Sequence, residues 1–110
     1  MINLDGRTLV VSSTAETGIV GSGTVLRFIQ RERRIAARYS GGRVVRGWLV
    51  GEWIGDAVTF RYAQREEGAG IHAGRSSCEV LRLTRDRLRI IEHFRWSTRV
   101  GAGTNAFDEV

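Results

Sequence analysis

Three ionisable residues in the second half of the chain have types and spacing that could do chemistry: Arg75, Glu79 and Glu92. The strand register read from the sequence sets Glu79 opposite Glu92 and Arg75 opposite Trp96, all facing inward among apolar neighbours. Two carboxylates side by side repel, and burial adds to that repulsion in raising the pKa of at least one. An arginine nearby favours the ionised forms. Such a patch inside an apolar cup would let Arg75 anchor an acidic or carbonyl group. Glu92, or Glu79, would then act as a general base titrating near neutrality. Tyr39, Tyr62, Gln64 and Ser77 add inward hydroxyls and an amide, and Phe94 and Trp96 add apolar wall. The bland account is an internal ion pair satisfied by the tyrosines, or a bulge that returns Arg75 and Glu79 to solvent. It is the stronger account for Glu79, which sits near a strand middle where a one-residue slip reverses facing. Glu92 is flanked by Ile90 and Phe94, which fix its face better.

Other constellations carry less. Cys78 and His93 read as cross-strand neighbours on the outer face, with His72 six residues before Cys78. That spacing matches no zinc pattern, and an outward pair lacks an enclosing pocket, so neither a metal nor a cofactor is expected. The run Gly18–Thr24 superficially resembles a phosphate loop, but it lacks the lysine and no helix follows it. It reads as a loop or bulge at a barrel mouth, and Gly101–Gly103 reads as the last turn.

The elements that must position these residues are strands. There are 14 glycines and no proline, and β-branched or aromatic residues fall in short alternating runs. Eight strands are expected, over 7–13, 22–30, 33–40, 43–54, 57–64, 71–84, 87–98 and 104–110. Gly55-Asp56 closes a hairpin pairing Trp53 with Val58 and Leu49 with Tyr62. Arg31-Glu32 pairs Phe28 with Ile35. Gly41-Gly42 sets Tyr39 beside Val45, and Arg85-Asp86 pairs Leu83 with Leu88, Leu81 with Ile90 and Ser77 with Phe94. One apolar face results, and sequential strands must close or sandwich to hide it. The expected fold is all-β: one antiparallel up-and-down barrel, calycin-like, with residues 1–110 as a single domain. A small sandwich or a partly open barrel is the structural alternative.

The net charge of +5 comes from 17 basic residues, all arginine. Arg27, Arg38, Arg46, Arg61, Arg82, Arg89 and Arg95 alternate with the apolar set, as a solvated exterior would. A nucleic-acid surface would interleave exposed aromatics with these charges, and only Trp48 does so. Nucleic acid is therefore ranked low as a partner. No apolar run is long enough for a signal peptide or a membrane span, and the single Cys78 fits a reducing cytoplasm. Pairing through edge strands or Trp48 leaves a homo-oligomer open.

The runs Tyr39–Gly42, Phe60–Tyr62 and Glu92–Thr98, with the ending Gly103-Thr104 through Asp108–Val110, resemble a family of short bacterial proteins often labelled N-acetylglutamate synthase. That label does not transfer. The activity belongs to an α/β acetyltransferase fold with a glycine-rich pyrophosphate loop, which this chain lacks. The resemblance implies a calycin-like barrel of lipocalin or avidin style, without an established chemistry. The reading that follows is a barrel holding a small organic molecule. The alternative is an enzyme using the same cavity for proton transfer, such as cyclisation or isomerisation. Oligonucleotide binding through the arginine face ranks third.

Overall fold

The computed structural model describes residues 2–16 and 18–110. Its eight strands are β1 (Thr8–Ser13), β2 (Val25–Arg31), β3 (Arg34–Gly41), β4 (Val44–Ile54), β5 (Ala57–Glu66), β6 (Gly70–Arg82), β7 (Leu88–Trp96) and β8 (Ala102–Glu109). Each pairs antiparallel with the next, and β8 pairs with β1, so the sheet closes into a barrel. Closure leaves no sheet edge unpaired, which is what an apolar face on every strand requires.

Burial alternates along the strands, as a period of two demands. Leu49, Trp53, Val58, Phe60, Tyr62, Phe94 and Trp96 are buried, and their sequence neighbours face outward. The β4–β5 hairpin has the register expected around Gly55-Asp56, with Trp53 opposite Val58 and Leu49 opposite Tyr62.

Three connections differ from expectation. The β2–β3 turn is Glu32-Arg33, with Arg31 opposite Arg34 and Phe28 opposite Ala37 rather than Ile35. Glu32 adopts φ 56°, the left-handed conformation that a tight hairpin requires. Every side chain keeps its face, because the pairing moves by two. At the β3–β4 turn, bulges at Tyr39/Gly41 and at Val44/Arg46 turn Val44 inward and Val45 out to solvent, contrary to expectation.

The third difference changes the interior. Arg85-Asp86 does not form a two-residue turn. The strands part after Arg82 and Leu88, joined by 83–87, with the Leu83 and Thr84 amides donating to the Arg87 carbonyl at 2.8 and 3.2 Å. Neither Arg85 nor Asp86 adopts the positive φ that a tight primed turn needs at its centre. The register slips by one, so Leu81, Leu83, Ser77, Arg75 and Glu79 face outward, and Ser76 and Cys78 face inward.

The connections alternate between the two ends of the barrel. At one end Leu4 is fully buried, and its amide and the Trp53 indole both donate to Gln30 Oε1, at 2.9 and 3.1 Å. At the other end lie the β1–β2 segment, the β3–β4 turn, 67–69 and 97–101. Ala15, Ile19 and Val20 of the β1–β2 segment pack against the core there. No helix of the described residues is long and apolar enough to cross a membrane.

Candidate ligand site in the barrel interior

The inward-facing polar side chains form two separate groups. In the first, Tyr39 on β3 donates to Gln64 Oε1 on β5 at 2.8 Å, and Gln64 Nε2 donates to Glu66 Oε2 at 2.9 Å. Arg99, from the β7–β8 connection, donates to both Glu66 oxygens at 2.6 and 3.1 Å. Burial pushes the Glu66 carboxyl up, but the hydrogen bonds from Arg99 and Gln64 outweigh it and hold the carboxyl below its ordinary value. The Arg99 guanidinium also lies 4.6 Å from the centre of the Trp96 ring. This chain of contacts ties the mouth of the barrel to its wall.

The second group lies deeper. Glu92, at the middle of β7, accepts from Ser76 Oγ at 2.6 Å and from Asn105 Nδ2 at 2.9 Å. Asn105 Oδ1 in turn accepts from the Ala15 amide at 3.1 Å and lies 3.0 Å from Thr14 Oγ1. Burial raises the Glu92 carboxyl above its ordinary range, and the two hydrogen bonds only partly oppose that. The same burial, reinforced by Glu92, raises the Tyr39 and Tyr62 hydroxyls and the Cys78 thiol. Cys78 faces Glu92 across the β6–β7 pair, inside the barrel. It is therefore not paired with His93, which faces out and hydrogen-bonds Glu79 at 3.0 Å.

Between the two groups is a cavity of about 30 Å³, lined by Tyr39, Tyr62, Gln64, Glu92, Asn105 and Trp96 among apolar side chains. Ile19 and Val20 of the β1–β2 segment line it from the mouth. Tyr62 is 7% exposed, and its hydroxyl has no hydrogen-bond partner among the described residues. Buried hydroxyls are nearly always paired, so this one is the exception in the interior. Its ring is packed edge-on against Trp96, with centroids 5.3 Å apart, and a Cβ on Gly74 would collide with its hydroxyl end. The hydroxyl is thus held in place with nothing to bond.

Of the residues singled out from sequence, Tyr39, Tyr62, Gln64, Glu92, Phe94 and Trp96 come together around this cavity. Arg75 and Glu79 do not, because the one-residue slip places both outside. Beside this cavity a Cβ on Gly47 would strike the Tyr39 ring, which fills that gap. Sequence reasoning missed Glu66, Ser76, Arg99 and Asn105. Glu66 and Asn105 were accessible by parity, from Tyr62 and Gln64 and from Phe107. Ser76 was lost with the register, and Arg99 lies in a connection with no period to read. Among the described residues no cluster of His, Cys, Asp or Glu is arranged to hold a metal.

Searches of curated proteins and of solved structures give no match. A family model described as Avidin-like protein matches residues 2–110. With a closed eight-stranded antiparallel barrel and a match along that length, the chain belongs to the avidin-like protein family.

Proposed function

We propose that the protein binds a small organic molecule inside the barrel, at the mouth-side cavity. The observation that carries this reading is the unpartnered hydroxyl of Tyr62, a residue that lines the cavity together with Glu92, Tyr39 and Gln64. A few polar groups converging in an apolar cavity are what small-ligand sites consist of. A cavity of about 30 Å³ is large enough for water but not for an organic ligand. Entry therefore requires the β1–β2 segment to withdraw Ile19 and Val20. The favoured ligand carries an acceptor for Tyr62 Oη and an apolar body for Phe60, Phe94 and Trp96.

Tyr62→Phe tests this assignment. If the hydroxyl is kept for a ligand, removing it relieves an unsatisfied buried group, and the ligand-free protein gains about 1 kcal/mol. The variant also loses any co-purifying ligand. A loss of stability in Tyr62→Phe would show that the hydroxyl is already satisfied within the fold, and would sink the assignment.

A second reading is favoured by Glu92, a carboxyl lining the same cavity with a raised pKa. It would serve as a general base for proton transfer, such as isomerisation or cyclisation of the bound molecule. Activity lost in Glu92→Gln with binding retained would separate catalysis from binding alone.

A further inference from the structure

The slip that expels Arg75 from the interior puts it between Arg61 and Arg95. Arg61 is directly opposite Arg75 on the β5–β6 pair, and Arg75 is directly opposite Arg95 on the β6–β7 pair. Three guanidinium groups thus stand in one row across adjacent strands, which are about 4.8 Å apart in a sheet. All three are exposed, and none makes an ion pair or side-chain hydrogen bond among the described residues. Like charges directly opposite each other destabilise a sheet.

Most of the paired carboxylates are engaged away from the row, and Glu79, on the outer face of β6, contacts His93. Glu109 pairs with Arg7, Asp108 with Arg89 and Glu66 with Arg99. The row lines an open concavity of about 700 Å³ on the outer face, where Arg34 and His93 add to it and Glu52 is the one lining carboxylate. Glu52 lies between Arg34 on β3 and Thr59 on β5, which is two residues from Arg61, so it adjoins only the β5 end of the row. The face continues along its register into Val50, which is opposite Arg61 and 61% exposed. Two residues back on β4 is Trp48, 48% exposed and opposite Arg38, with the Arg46 guanidinium 5.8 Å from its ring centre.

A repulsive row of three arginines with a single carboxylate, Glu52, at its β5 end, beside an exposed indole flanked by two more arginines, matches one ligand chemistry. It is a chain of phosphates carrying flat apolar groups. We propose that the outer face of β4–β7 binds single-stranded nucleic acid, with Arg61, Arg75 and Arg95 on successive phosphates and Trp48 as a stacking platform. Guanidinium forks suit phosphate oxygens, and aromatic stacking on bases tolerates any sequence. This surface is separate from the interior cavity, so its occupation is independent of the ligand there.

The test is fluorescence anisotropy with a labelled mixed-sequence DNA single strand of about 12 nucleotides, within the range that small barrels cover. Three phosphate contacts predict a log–log salt slope of about −2, or roughly 20-fold weaker binding on going from about 50 to 200 mM salt. Arg75→Thr should weaken binding about tenfold at low salt and reduce the slope by about 0.7, while the melting temperature holds or rises as repulsion is relieved. Trp48→Ala should weaken binding about fivefold or more with the slope unchanged. Arg85→Ser, the same loss of charge in the β6–β7 connection, should leave both affinity and slope in place.

Absence of binding at low salt overturns the proposal. Equal weakening by Arg85→Ser and Arg75→Thr overturns it too, because only net charge would then matter. Displacement of the strand by an equimolar amount of inorganic tripolyphosphate would assign the row to a compact polyphosphate and not to a strand.

Discussion

Asn105 determines where a proton on Glu92 resides. The Ala15 amide can only donate, so Asn105 must present Oδ1 to it and Nδ2 to Glu92 Oε1. Oε1 is thereby an acceptor, and the acidic proton belongs on Oε2, facing Ser76 Oγ at 2.6 Å. Glutamine reproduces that protonated arrangement, with its oxygen toward Asn105 and its nitrogen toward Ser76. Because burial raises the Glu92 pKa in the fold, the folded state holds the proton more tightly than the unfolded chain. Stability is therefore greatest where both states are protonated and falls as pH rises through the unfolded value toward the folded one. Glu92→Gln should be more stable than the parent protein at pH 7 and match it near pH 4. Denaturant titrations at the two pH values check this, and a variant less stable at pH 7 would contradict it. Cys78 offers a second check on the same environment. Its thiol is buried and its pKa raised, so it should resist an aromatic disulfide reagent until the protein unfolds. Prompt reaction in native buffer would place it outside the barrel.

Strand order and hairpin placement were readable because a period of two and the glycine turns dominate this sequence. Register was readable only where turn chemistry was decisive. Gly55-Asp56 fixed β4–β5, whereas Arg85-Asp86 offered no left-handed residue, and the choice of a longer connection moved β6 by one position. That slip accounts for the errors at Arg75, Glu79, Ser76, Ser77 and Cys78. The candidate site was legible through Tyr62, Gln64 and Glu92, whose neighbours at i±2 are large and apolar or share their parity. Arg99 was not legible, since it reaches Glu66 from a connection. At Gly47 a Cβ would strike the Tyr39 ring, which donates to Gln64. Gly47→Ala should accordingly destabilise the fold by about 1–3 kcal/mol through overpacking. A neutral result in a thermal or denaturant melt would mean that the Tyr39 ring is free to move aside.

The two ends of the barrel are closed differently. One is sealed by Leu4, Trp53 and Gln30 in direct contact. The other is covered by the β1–β2 segment, whose contacts among the described residues include the Ala15 amide and Thr14 Oγ1 to Asn105 Oδ1, and Thr24 Oγ1 to the Gly41 carbonyl at 3.0 Å. Ile19 and Val20 of that segment line the same cavity as Tyr62. The described part of the molecule is therefore a filled barrel whose mouth is covered by a segment outside the strand pairings, and that is where the proposed ligand would enter. Native mass spectrometry of the purified protein, set against its denatured mass, tests this account. A discrete extra mass that disappears on denaturation, and is absent from Tyr62→Phe, is the expected result. Ligand-free wild-type protein that also takes up nothing from a cell extract of small molecules, even with Ile19→Ala opening the mouth, would contradict it.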